Sequence, residues 1–275
     1  MLNFLSELFS EYQIDLYSPI PLSACEIRKP YLLEREGISE GTAVLIAVPY
    51  FTRACLSPNR NLSAYAVSRD YHGFFNAFFE DLLPLLREKY STERFAGFAD
   101  HSPIAELQAA AHAGLGVIGK NSLLITEKYS SYVFLGELIT TARLSAKIQP
   151  LQSCVGCNAC KKNCPMDKIG TCLSALTQKK GELTREEQDS LLSFGSVWGC
   201  DLCQEVCPYT KKAIQTGSVF SPIPYFQKNC ISHMTLKELN EMSDEEFSRR
   251  AYSWRGRETI RRNLQIMEKR QEKGD

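Results

Sequence analysis

The stretch "SCVGCNACKKNCPMDKIG", residues 153–170, carries Cys154, Cys157, Cys160 and Cys164, the last followed by Pro165. Three cysteines at intervals of three residues and a fourth just beyond gather soft ligands on a few turns of backbone, a pattern suited to thiolate-bound metal. A second run, "WGCDLCQEVCPYT" at residues 198–210, holds Cys200, Cys203 and Cys207, the last again before a proline, Pro208. Aligned on the Cys-Pro pair, it has Val197 where a complete run would place its first cysteine. The missing thiolate must come from elsewhere, and Cys172 in "GTCLSALTQKK" is the nearest candidate.

CxxCxxCxxxCP is the spacing of the bacterial ferredoxins, in which the fourth thiolate ligates the other cluster of a pair. Crossed ligation assigns Cys154, Cys157, Cys160 and Cys207 to one 4Fe-4S cluster. Cys164, Cys172, Cys200 and Cys203 go to the second. Paired CxxC units also build tetrahedral zinc sites, so zinc is the rival occupant. Cys25, Cys55 and Cys230 are left over and read as packing residues, since unpaired cysteine is among the most buried residue types. Eleven cysteines, an odd number, fit a complete disulfide framework poorly.

Lys+Arg and Asp+Glu both number 32 among 275 residues, so the whole-molecule field drives the chain toward neither nucleic acid nor membrane. With 44% hydrophobic residues it can bury a sizeable core. The opening "MLNFLSELFSEYQID" has no basic region followed by an apolar run and reads as an amphipathic helix with Leu2, Leu5, Leu8 and Phe9 on one side. The longest aliphatic run, "AVLIAV" at 43–48, suits a buried strand and is far short of a membrane span. The expectation is a cytoplasmic protein, monomeric and without a membrane partner.

About 150 residues precede the cysteines, the size of an ordinary domain. In "DYHGFFNAFFEDLLPLLREKY", Phe74, Phe75, Phe78, Phe79, Leu82, Leu83 and Leu86 recur at helical spacing. Strand-like "RFAGFA", helix-like "IAELQAAAHAG" and strand-like "YVFLGELIT" follow, and such alternation argues for an α/β layer domain. "GLGVIGK", residues 114–120, contains GxGxxG but leaves a helix and enters a strand, the reverse of a dinucleotide fingerprint, so it reads as a helix stop and turn. Asp100, after a strand and before Ser102-Pro103, has two readings: the amino-terminal cap of the next helix, or a catalytic carboxyl at a strand's end. His72 and His101 are equally ambiguous.

Taken in order, "SRDYH", "GFADHSP", "AGLGVIGKNSLLI", "FLGELIT", the cysteine run, "CLSALT" and "GCDLCQEVCPYT" resemble the epoxyqueuosine reductase family, with a weaker echo in "RGRETIRRNLQI". The resemblance implies a mixed α/β (α+β) cobalamin-binding domain of the nitroreductase and reductive-dehalogenase type, followed by a ferredoxin-like domain with two 4Fe-4S clusters. It divides the chain into residues 1–148, 149–225 and a C-terminal helical segment, 226–275. It supports Cys172 as the displaced ligand. The implied reaction removes the epoxide oxygen of epoxyqueuosine in tRNA, giving queuosine, with an external low-potential electron donor. The match in "FAD" makes Asp100 the proton donor. The chemistry is coherent, because an epoxide oxygen leaves poorly unless protonated, and a carboxyl desolvated beside a corrin face would hold its proton near neutrality. Gly119, Lys120, Asn121 and Leu124, with Leu135 in "FLGE", match the family's cobalamin pocket. Arg28 and Ser63 fall near other pocket positions, and Tyr71 and His72 match a motif close to the active site.

Two departures stand beside these matches. Family members usually carry threonine after the catalytic aspartate, where this chain has His101. Many continue into a helical repeat domain that helps to hold tRNA, whereas this sequence stops at Asp275. Residues 249–270 carry a net charge of +6, which fits either a grip on tRNA phosphates or a solvated, packed helix. The alternatives are a related corrinoid iron-sulfur reductase for another small substrate, and an electron-transfer or corrinoid-reactivating module. Asp100 argues against the module, since electron transfer needs no proton donor.

Overall fold

In chain order the computed structural model, which describes residues 1–271, begins with α1 (Leu2–Glu11), β1 (Tyr17–Pro21), α2 (Pro30–Arg35), β2 (Thr42–Pro49), α3 (Ala64–Val67) and α4 (Tyr71–Lys89). It continues with β3 (Phe95–Phe98), α5 (Glu106–His112), β4 (Val117–Ile118), β5 (Leu124–Ile125) and β6 (Val133–Thr140). The remainder is helical: α6 (Ala159–Lys162), α7 (Met166–Ile169), α8 (Leu173–Thr177), α9 (Arg185–Phe194), α10 (Leu202–Glu205), α11 (Pro208–Thr216), α12 (Pro224–Gln227), α13 (Leu236–Glu241), α14 (Asp244–Ser248) and α15 (Arg257–Gln271). Two compact units interleave along this order. One comprises Met1–Pro49, Tyr71–Cys157 and Lys212–Ile223; the other comprises Tyr50–Asp70, Asn158–Lys211 and the chain from Pro224 on.

The first unit is built on a four-stranded sheet of order β1-β2-β6-β3, each strand pairing antiparallel. β2 is the aliphatic run seen in the sequence, and every one of its residues is buried. Ala43, Leu45 and Ala47 belong to the cluster that includes Ala109 and Ala110 of α5, while Val44, Ile46 and Val48 are just as buried. Coverage on both faces explains why this strand shows no polar alternation.

The helical spacing of α4 is also realised: Phe74, Phe75, Phe78, Phe79, Leu82 and Leu86 are buried. The helix sits unusually close to the sheet. A Cβ built on Gly136 would lie 2.4 Å from the Phe75 ring, and one on Gly97 would lie 2.3 Å from Phe79. Glycine at these strand positions is what admits the two rings. From α1, Leu5, Leu8 and Phe9 are buried, with Phe9 edge-on to Tyr17 at 4.6 Å. Gly114, at φ +84°, ends α5, and β4 and β5 follow as an antiparallel pair, so GxGxxG here stops a helix and opens a hairpin.

The second unit packs helices around Trp198, Tyr252, Val197, Leu239, Ile260 and Leu264. α15 lies against α8, α9 and α13. Its wholly buried Asn263 donates to the carbonyls of Thr177 and Val197 at 2.7 and 2.8 Å, pinning two loops to one helix.

The basic stretch is largely engaged within the unit. Arg249 and Arg250 pair with Glu245 and Glu246, Arg257 with Asp244, and Arg261 with Glu258. Arg262 donates to the carbonyl of Lys179 at 2.6 Å, and Arg255 lies over the Trp254 ring. Each of the six arginines thus has a contact within the unit. The side chains of Lys269 and Arg270 lie outside the described residues. No described helix is long and apolar enough to cross a membrane.

Candidate active site and cysteine sites

β3 ends at Phe98, and two residues later Asp100 adopts φ +64°. Aspartate enters the left-handed region more readily than most residues. The loop is stitched to the segment before α2: Arg28 and Lys29 donate their N–H groups to the Pro103 carbonyl at 2.7 and 3.1 Å, and Ala105 donates to the Glu26 carbonyl at 2.9 Å. α5 starts only at Glu106, with Ala105 at its cap position and no side-chain cap. The capping reading of Asp100 is therefore overturned, because the helix begins too far along the chain. Its side chain is 69% exposed, and its Oδ2 stands 3.7 Å from Nε2 of His72.

His72 lies in the first turn of α4, beside Tyr71, whose ring stacks on Phe134 at 4.2 Å and 13°. Phe134 and Leu135 occupy the early part of β6, only half-buried, whereas residues from Gly136 on are buried. Asp100, His72, Tyr71 and Phe134 thus form a continuous line of contacts: an acid and an imidazole beside an open aromatic wall. Phe134 was missed in the sequence, although "FLGE" contains it; its role comes from stacking across two elements.

His101 turns from this line toward Lys29 and Tyr31. Nζ of Lys29 lies 3.1 Å from its Nδ1, and the Tyr31 hydroxyl lies 2.9 Å from its Nε2. An ammonium group can only donate, so Nδ1 accepts and the ring proton sits on Nε2, facing Tyr31. Arg28 pairs with Glu26 at 2.9 Å on the surface.

The β4–β5 hairpin carries the other pocket candidates. Gly119 donates to the Leu123 carbonyl at 2.9 Å, and a Cβ there would meet Asn121 Oδ1 at 2.3 Å. Asn121 Oδ1 is buried without a hydrogen-bond partner, which costs about 1–3 kcal/mol unless a ligand donates to it. That orphaned acceptor fits a cofactor rich in amide donors, such as a corrinoid. Leu124 packs into the core. Ser63 is placed in the second unit, with its hydroxyl donating to Asp201 Oδ1 at 2.6 Å.

The cysteines divide between the units. Cys154 and Cys157 belong to the first and the other six candidate ligands to the second. Cys154 follows the hairpin, its N–H donating to the Ile118 carbonyl. Backbone N–H donors at Gly156 and Lys120, with the Lys120 charge, hold its thiol below the ordinary value despite some burial. This is the environment of a thiolate ligand.

In the second unit, Cys172 stands at the amino-terminal cap position of α8, Cys203 lies within α10 and Cys200 and Cys207 flank that helix, against which α6 with Cys160 packs. Cys164 follows α6. Burial pushes the Cys200 thiol up to about 12, and the nearby Asp201, Cys203 and Cys172 push the same way. Cys203 and Cys172 are thus among the groups whose charge reaches the Cys200 thiol. Asp201 anchors this loop: it accepts from the Ala64 N–H at 2.7 Å and pairs with Arg60 at 2.5 Å.

Among the described residues no cysteine is in a disulfide, and no three His, Cys, Asp or Glu side chains converge as around a single ion. Of the three leftover cysteines, Cys55 is buried, and Cys25 and Cys230 are half-buried. A cavity of about 1050 Å³ bounded by β1 and α2 includes Cys25 but none of the candidate site residues.

No protein-family model matches the chain. A curated epoxyqueuosine reductase from Gloeobacter violaceus is 32% identical over 209 residues, covering 73% of this chain and 64% of its own length. One from Lactococcus garvieae is 29% identical over 242 residues, covering 81% of this chain and 67% of its own. The chain thus spans about two thirds of the length of these relatives, and as little as 43% of another of the same name. A crystal structure of epoxyqueuosine reductase with an epoxyqueuosine-modified tRNA-Tyr stem loop is 24% identical, with a TM-score of 0.75 over 97% of this chain and 81% of that one. That likeness is one of fold. With the curated relatives agreeing in name over most of its length, the chain belongs to the epoxyqueuosine reductase family.

Proposed function

We propose that this chain reduces epoxyqueuosine to queuosine in tRNA as a cobalamin-dependent iron-sulfur oxidoreductase, with Asp100 as proton donor. The observation that carries this reading is the presentation of Asp100. Its carboxyl is exposed on a loop that leaves β3 and is bonded at residues 103–105 to the segment before α2, caps no helix, and stands beside His72 and the Tyr71–Phe134 wall.

Converting an epoxide to an alkene and water takes two electrons and two protons. The corrinoid, fed by two 4Fe-4S clusters and an external low-potential donor, would supply the electrons when bound. Asp100 would protonate the oxygen as it leaves, and His72 would orient the carboxyl and steady its charge once the proton is gone. Tyr71, Phe134 and Leu135 would cover one side of the site and exclude water. Gly119, Lys120 and Asn121 would meet the cofactor's polar edge, with Arg28 at the rim. Ser63 and Leu124 are the remaining residues proposed to meet the cofactor. Cys154, Cys157, Cys160 and Cys207 would hold one cluster, and Cys164, Cys172, Cys200 and Cys203 the other.

By chemistry the chain then divides at about residues 148 and 225, into corrinoid, cluster and helical segments, within a cytoplasmic monomer. The stem-loop complex of a protein of the same fold supports tRNA as the substrate. The test is to reconstitute the protein anaerobically with iron, sulfide and cobalamin, supply a strong reductant and an epoxyqueuosine-bearing stem loop, and analyse the nucleosides by mass spectrometry. Queuosine is the expected product. Its absence from fully loaded protein would exclude this substrate and direct the search to other small epoxides.

A further inference from the structure

Backbone bonds from Arg28 and Lys29 to the Pro103 carbonyl, with Ile27 bridged antiparallel to Ile104, fix the segment before α2 against the loop that carries Asp100. Three polar side chains meet along this seam. His101 lies between Lys29 Nζ, 3.1 Å from its Nδ1, and the Tyr31 hydroxyl, 2.9 Å from its Nε2. Lys29 is half-buried and His101 exposed, while Tyr31 is 54% exposed. Asp100, one residue earlier, faces His72 instead.

This bonding leaves donors to spare. Lys29 commits one of its three ammonium protons to His101, and Tyr31 accepts the Nε2 proton while keeping its own O–H free. Among the described residues no carboxylate lies within ion-pair distance of Lys29. Glu26, the nearest acid along the chain, is already paired with Arg28 at 2.9 Å. An ammonium whose partner is a neutral base keeps its charge available to an anion. The unused donors suit a phosphodiester, whose oxygens only accept. A corrinoid also carries a phosphodiester, but its candidate contacts, Asn121 and the Tyr71–Phe134 wall, lie on other elements, and His101 turns from that wall.

We propose that Lys29 and Tyr31, held by His101, form a phosphodiester-binding site for the RNA backbone beside the nucleotide that Asp100 reaches. Lys29 supplies the charge and Tyr31 a neutral O–H. His101 is the positioning residue that keeps both donors in register with Asp100. Contacts of this kind fix where a nucleotide lies rather than which base it carries. The site rests on the reading of tRNA as the substrate, but its binding test does not depend on turnover.

Stem loops with epoxyqueuosine and with guanosine at the same position are titrated, by fluorescence anisotropy at several salt concentrations, against anaerobically reconstituted protein. Lys29→Gln should lower the slope of log affinity against log salt by about one and weaken both stem loops alike. Tyr31→Phe should weaken binding with the slope unchanged. His101→Thr should weaken binding too, and its loss should be less than additive with that of Lys29→Gln, because both act on one contact. Lys89→Gln, about 25 Å along α4 from His72, should alter neither reading. An unchanged slope in folded Lys29→Gln, or additive losses in the double variant, overturns the proposal. So does a fall in cobalamin affinity, followed by absorbance, with RNA binding intact, since the phosphodiester is then the corrinoid's. Queuosine formation by the wild type, with a full slope in Lys29→Gln, removes the site and leaves the proposed function standing. A reduced slope in Lys29→Gln, with no queuosine from the wild type, does the reverse.

Discussion

At Asp100 a local backbone torsion, and the bonds that tie residues 103–105 to 26–29, together decide what the side chain can do. The sequence placed this aspartate at the end of a strand and before Ser102-Pro103, but left its role open between cap and acid. That choice depends on where α5 starts, which is set by the bonds tying 103–105 to 26–29. Glu137 was less legible still: within "FLGELIT" it looks like the exposed position of a strand, and only coverage of both sheet faces buries it. Its titration has a thermodynamic signature. Because its folded-state affinity for a proton exceeds the unfolded one, stability should fall as pH rises from the ordinary carboxylate range toward the raised folded value. Thermal melts of the unloaded protein should show this slope, and Glu137→Gln should flatten it. At His101, exchange for threonine should cost less than about 1 kcal/mol, since its contacts with Lys29 and Tyr31 are exposed.

Among the elements, β2 and α4 were readable from period alone, since continuous burial and a 3.6-residue apolar stripe leave direct marks in sequence. The glycines that let α4 settle on the sheet were not, because the reason for them sits on another element. Gly136→Ala should cost about 1–3 kcal/mol by forcing Cβ into the Phe75 ring, measured as a lower midpoint in urea. Combining it with Phe75→Leu should recover part of the loss. The loop bearing Cys200 and Cys203 depends similarly on Asp201, which is 5% exposed and bonded to Arg60, Ser63 and the Ala64 amide. Asp201→Ala should destabilise the protein by about 3–5 kcal/mol by leaving the largely buried Arg60 charge without its main partner.

Across the molecule, the cysteine spacing announced thiolate chemistry, yet the interleaving of the two compact units was invisible, because it arises from contacts between segments far apart in sequence. Residues 50–70 belong with the later helices, and 212–223 with the sheet. The displaced ligand Cys172 is the most exposed part of the cluster assignment to test. Cys172→Ser should reduce iron from about eight to about four atoms per chain after anaerobic reconstitution. Retention of full iron would place that thiolate elsewhere. The measurement that bears on the whole account is single-turnover conversion of an epoxyqueuosine stem loop by wild-type and Asp100→Asn protein matched in iron and cobalamin content. The account predicts queuosine from the wild type and a rate lowered about 10²–10⁴-fold in Asp100→Asn. Equal rates for the two proteins would contradict it.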